Sequence, residues 1–79
     1  MHTMYLATFY THYGAMRFYK HCEKEKISAK MAPVPRKLSA SCGVCVCFEA
    51  GFAPRAEEHE DMEQCYAVSP DGLYTQIES

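Results

Sequence analysis

Pro33 and Pro35, separated only by Val34, remove two backbone donors at i and i+2, and in an extended chain those two N–H groups point to the same side. A strand with a donorless side is tolerated only at a sheet edge. Ile27, Ala29 and Met31 alternate with Ser28 and Lys30 and run into this pair, so they predict an edge strand. The rest of the fold must be arranged around that edge.

Residues 5–10, Tyr-Leu-Ala-Thr-Phe-Tyr, contain no breaker and are rich in aromatics, which reads as a strand buried on at least one face. Thr11 is a good N-cap for a helix over about residues 12–26. Its Ala15, Phe18, Tyr19 and Cys22 form one apolar stripe at i, i+3, i+4 and i+7, while Lys20, Glu23 and Lys24 fill the wet face. Over residues 43–49, Val44, Val46 and Phe48 alternate with Cys45, Cys47 and Glu49, the pattern of a half-buried strand. Gly51-Phe52-Ala53-Pro54 is a break. Glu57, Glu58, Glu60 and Asp61 then suit a helix N-terminus, with Met62, Cys65 and Tyr66 as its short apolar stripe. Ser69-Pro70-Asp71-Gly72 is turn chemistry, and Leu73, Thr75 and Ile77 alternate as a last strand. A hairpin over residues 66–77 is the competing reading of this end.

The order strand, helix, strand, strand, helix, strand in 79 residues without a repeat predicts an α+β fold of the ferredoxin-like, split βαβ kind. Its four-stranded antiparallel sheet carries two helices on one face. The second strand lies at an edge in that topology, in agreement with the prolines. Residues 1–79 are read as a single domain, too short for a self-contained enzyme with its own cofactor fold, and no cofactor is expected. A core of this size is marginal, so a homodimer, a metal or a partner surface is expected to complete it.

The formal net charge is −2. It is divided unevenly, +5 over residues 1–39 and −7 over residues 40–79, which suits an oriented encounter with a charged partner or two solvated faces of opposite sign. The balance argues against a nucleic-acid binder, whose affinity comes mainly from phosphate neutralisation. Tyr5, Phe9, Tyr10 and Tyr13 beside Arg17 are accordingly read as sheet–helix core rather than a base-stacking surface. No apolar run approaches the ~20 residues of a membrane span, and the first residues lack a charged signal-peptide region, so a cytoplasmic protein is expected.

Five cysteines, Cys22, Cys42, Cys45, Cys47 and Cys65, are many for this length. An odd number in a chain without a secretion signal points to thiol or metal chemistry before a disulfide framework. In the predicted topology the first strand-to-helix turn, the loop between the second and third strands and the start of the last strand share one end of the sheet. Cys42 then comes near Thr11 and His12 at the positive end of the first helix, with Arg36 and Lys37 on its own loop. Cations and helix N-termini lower a thiol pKa, the setting of a nucleophilic thiolate. Gly43 lets backbone approach a ligand closely, and Ser39, Ser41 and loop N–H groups suit an anion such as a persulfide or selenide. His12 is either an acid or base beside Cys42 or plain polar capping. Cys45 and Cys47 point the same way on one strand and are poorly placed to bond each other. Cys42-x-x-Cys45 opens a strand, not the helix of a thioredoxin-type motif. No metal is expected, although Cys42, Cys45 and Cys47 within six residues form an alternative ligand set. Cys22 and Cys65 read as core and His21 as surface.

Residues 5–11, Tyr-Leu-Ala-Thr-Phe-Tyr-Thr, followed by a helix and then by Pro33-Val34-Pro35-Arg36-x-Leu38-Ser39-x-Ser41-Cys42-Gly43, resemble a family of small bacterial proteins described as Putative Se/S carrier protein-like. The resemblance covers about residues 5–77 and is densest from Val34 to Gly43. It implies that Cys42 holds sulfur or selenium as a persulfide-type adduct and passes it on, with Arg36, Ser41 and Gly43 shaping the loop. Carried over, it implies a donor enzyme and an acceptor protein as partners, and a carrier in place of a stand-alone enzyme. Ala40 stands where the family commonly has serine, and Cys45 and Cys47 are additional. The alternative reading is a small metal-binding or protein-interaction module using Cys42, Cys45 and Cys47.

Overall fold

A computed structural model of the chain describes residues 3–38, 43–51 and 61–77. Five strands and one helix lie among them: β1 Thr3–Phe9, α1 His12–Lys24, β2 Ala29–Pro33, β3 Val44–Ala50, β4 Met62–Val68 and β5 Tyr74–Gln76. The strands form one antiparallel sheet in the order β2-β3-β1-β4-β5. The donorless strand β2 is at an edge, as its prolines require.

Alternation sorts the sheet into two faces. Tyr5, Ala7 and Phe9 of β1, Val46 and Phe48 of β3, and Met62 and Cys65 of β4 join Ala15, Phe18 and Cys22 of α1 in one core. Phe18 is its pivot, edge-on to Phe48 at 5.1 Å and tilted against Phe9 at 5.4 Å, while Tyr5 stacks on Phe48 at 5.5 Å. The far face carries Leu6, Thr8, Cys45, Cys47, Glu49 and Lys30. Leu6, Thr8 and Cys45 are buried there too, so β1 is closed on both sides.

Thr11 caps α1 through a 2.9 Å bond from the Gly14 N–H to its Oγ1. The helix ends two residues earlier than the sequence predicts. Lys26 takes a left-handed φ of 60°, its N–H reaches the Glu23 carbonyl and the Ile27 N–H reaches the Cys22 carbonyl, a Schellman closure made with lysine where glycine is usual.

The expectation of four strands and two helices is corrected at the C-terminal end. Met62, Cys65 and Tyr66 belong to β4, not to a helix, and the competing hairpin is the arrangement found, with β4 and β5 joined through Ser69 to Leu73. The physical reason is a β-bulge. Thr8 faces Gln64 whereas Phe9 faces Met62, so one extra residue of β4 is inserted and the side-chain parity shifts. Met62 and Cys65, three residues apart, thereby enter the same core, imitating the spacing of a helical stripe. Residues 52–60, where the predicted second helix begins with Glu57, Glu58 and Glu60, lie outside the described residues. The predicted turn at Ser69-Pro70-Asp71-Gly72 holds. Gly72 has φ +86°, its N–H bonds the Ser69 carbonyl at 2.9 Å, and the Ser69 hydroxyl bonds Asp71, drawing that carboxyl below its usual range.

Candidate functional site

The strand register decides which segments meet. Pro33 pairs with Val44, Cys45 with Thr8 and Met62 with Phe9, so the end of β2, the start of β3, the end of β1 and the start of β4 share one edge of the sheet. The start of α1 follows directly from β1 at that edge. Cys42, Ser39 and Ser41 lie outside the described residues. Gly43, next to Cys42 in the chain, accepts a 3.1 Å bond from the Val34 N–H at this edge. Among the described residues, and apart from its chain neighbours, nothing stands within 4 Å of the position a Cβ would take at Gly43, so the backbone there is open to approach from that side.

Arg36 and Lys37 are exposed in a turn closed by the Leu38 N–H on the Pro35 carbonyl at 3.0 Å. His12 is exposed on the first turn of α1. Asp61, by contrast, was not singled out by sequence pattern at this position. Its carbonyl accepts the Tyr10 N–H at 2.8 Å, and its side chain lies against Gly14, so a carboxylate faces the first turn of α1. The positive end of the helix is therefore shared with Asp61, while Arg36 and Lys37 are exposed a few residues before Cys42 in the chain. Glycine in a helix interior was the available signal, since a residue of poor helix propensity there marks a close approach.

The described cysteines divide sharply. Cys22 and Cys65 are in the core, and burial pushes each thiol up to about 11, which keeps them protonated and inert. Cys45 is fully buried on the far face, its thiol 3.7 Å from the Pro33 carbonyl. Cys47 is half-buried and differs in character. A hydrogen bond from the Cys45 thiol outweighs the cost of burial and, together with the Lys30 ammonium, brings it down to about 7. No three His, Cys, Asp or Glu side chains gather as a metal site among the described residues. A shallow hollow lined by Thr3, Met4, Glu49, Val68, Ser69 and Pro70 lies at the opposite end of β1, away from the cysteine loop. The aromatic reading is half corrected. Tyr5 and Phe9 are core, but Tyr10 and Tyr13 are 52% and 67% exposed, with the Arg17 guanidinium 5.8 Å from the Tyr13 ring.

The family model described as Putative Se/S carrier protein-like matches residues 4–74. The chain belongs to this family. The match takes in all of α1, β2, β3 and β4 and the whole loop that carries Cys42. No curated protein and no solved structure matches the chain. No helix among the described residues is long and apolar enough to cross a membrane.

Proposed function

We propose that this protein is a sulfur or selenium carrier whose Cys42 thiolate takes a sulfane sulfur or selenium atom from a donor enzyme and yields it to an acceptor protein. The observation that carries the reading is the convergence at one sheet edge of Gly43, the Arg36–Lys37 turn and the start of α1, in a chain of the Se/S carrier-like family. A thiolate at Cys42 attacks the outer sulfur of a persulfide donor, forms a new S–S bond and releases the donor thiolate, and the same exchange in reverse loads the acceptor. Arg36 and Lys37 favour the anionic adduct, with Ser39, Ser41 and the open backbone at Gly43 as its hydrogen-bonding surroundings. Thr11 caps the helix that starts at the same end of the sheet, and His12, exposed on its first turn, is in this reading a polar neighbour of the adduct. The neighbour order β2-β3-β1-β4, with α1 joining β1 to β2, supports the split βαβ, ferredoxin-like reading, to which β5 adds one hairpin arm. The setting that goes with this reading is a bacterial cytoplasm, with exchange as the only chemistry.

Intact-protein mass spectrometry under anaerobic conditions, after exposure to a persulfide (R–S–SH) or selenopersulfide (R–S–Se⁻) donor whose outer atom is transferred as R–S⁻ leaves, tests it. One added sulfur or selenium atom localised to Cys42, absent from Cys42→Ser, is the expected result. A native chain whose Cys42 stays unmodified, or holds zinc instead, overturns the carrier reading.

A further inference from the structure

On the far face of the sheet, β2, β3 and β1 bring together four groups that the carrier loop does not use. Lys30 is the direct cross-strand partner of Cys47, and Thr8 is the direct partner of Cys45. Cys45 and Cys47 are two residues apart on β3 and point the same way; the Cys45 thiol donates to the Pro33 carbonyl at 3.7 Å, and its one proton can turn instead to the Cys47 sulfur when that ionises. Thr8 is fully buried, and its Oγ1 has no hydrogen-bond partner among the described residues. A buried hydroxyl left in that state is costly unless a group arrives to satisfy it.

We propose that Cys47 is a second sulfur-accepting thiol, a modification site for sulfane sulfur delivered by persulfides or polysulfides, with Lys30, the Cys45 thiol and the Thr8 hydroxyl holding the anionic adduct. The inference takes its class of donor from the carrier reading, but its site is separate from Cys42. The Cys47 thiolate attacks the terminal sulfur of a donor R–S–SH. The donor S–S bond breaks, a bond from the Cys47 Sγ to the transferred sulfur forms, and R–S⁻ leaves with the electron pair. Cys47 sulfur is oxidised by one step and the donor's inner sulfur reduced by one, so no further oxidant is needed.

Cys45 would ordinarily destroy such an adduct by closing a disulfide and expelling hydrosulfide. Its position disfavours that. Two residues of extended strand put the Cα atoms about 6.6 Å apart, at the upper end of the disulfide range, with parallel rather than converging Cβ directions. A neighbour that can donate a hydrogen bond but closes a ring poorly helps to hold the adduct in place. Among the described residues, the charged and titratable groups facing Cys47 are Lys30 from β2, Cys45 and Glu49 from its own strand, and Tyr66 from β4 one strand beyond Leu6. Glu49, exposed at the end of the row, is the one acidic group among them and opposes the thiolate.

The test exposes the native chain, Cys42→Ser and Lys30→Gln to sodium tetrasulfide anaerobically, caps with iodoacetamide, and localises the added sulfur by fragment-ion mass spectrometry. In Cys42→Ser one sulfur is expected on Cys47, with a rate that is half-maximal near pH 7 and with Cys22 and Cys65 unmodified. Lys30 is exposed, so Lys30→Gln is expected to fold, checked by circular dichroism, and to slow the Cys47 reaction about two- to threefold at pH 7. Sulfur on Cys42 of the native chain with none on Cys47 of Cys42→Ser overturns this inference and leaves the carrier reading standing. Sulfur on Cys47 but never on Cys42 does the reverse. A Cys47 rate unchanged in Lys30→Gln overturns the role given to the cluster.

Discussion

Gly14 is where α1 packs directly against Asp61, the residue just before β4. A Cβ there would overlap the Cβ, Cγ and Oδ2 of Asp61, whose backbone is tied to Tyr10 at 2.8 Å and has little room to retreat. Alanine gains about 1 kcal/mol over glycine from helix propensity, but overpacking a tight contact costs about 1–3 kcal/mol, so Gly14→Ala is expected to be net destabilising. Urea unfolding checks this, with Gly43→Ala as the comparison. Nothing lies near the Cβ position at Gly43, so that variant is expected to unfold within about 0.5 kcal/mol of the native chain. A Gly14→Ala protein more stable than the native one would show that Asp61 moves aside freely. Two glycines in one short chain thus do different things, one admitting a packed carboxylate and the other lying in open space next to Cys42 in the chain.

At the scale of elements, α1 ends in a closure that glycine makes without strain and lysine does not. The left-handed conformation costs a residue with a Cβ roughly 1 kcal/mol or more, and Lys26 holds it at φ 60° because the Ile27 and Lys26 N–H groups find the last free carbonyls of the helix. Lys26→Gly is expected to stabilise the fold by about 1 kcal/mol, read as a higher urea midpoint with an unchanged slope. An unchanged or lower midpoint would mean that the lysine side chain contributes what its backbone gives up. The sequence pattern placed this helix within two residues at its end and named its cap, because capping and the 3.6-residue stripe are local properties. It named β4 wrongly for an equally definite reason. The i, i+3, i+4 spacing of Met62, Cys65 and Tyr66 fits a helix, and only pairing with β1 shows that a bulge puts Met62 and Cys65 on one face of a strand.

For the molecule as a whole, the cysteines give stability an unusual dependence on pH. Cys47 ionises at about 7 in the folded chain and at about 9 when unfolded, so between those values the unfolded chain binds more protons and stability rises with pH. Cys22 and Cys65 keep their protons to about 11, so between about 9 and 11 the folded chain binds more and stability falls, by up to about 1.4 kcal/mol per pH unit for each thiol. Urea midpoints under reducing conditions are therefore expected to peak near pH 9. In Cys47→Ser the rising limb should vanish while the falling limb remains; a flat profile from 7 to 11 would contradict the burial of Cys22 and Cys65. What the sequence determined by itself depends on neighbours along the chain: the edge strand from two missing donors, the capped helix and its stripe, the two faces of β3 and the turn at Gly72. Partners distant in the chain were settled only by tertiary structure. Lys30 beside Cys47, Thr8 against Cys45, Asp61 on Gly14 and the bulge in β4 all follow from strand register, and register is set by which segments pair across the sheet, a property that no single segment contains.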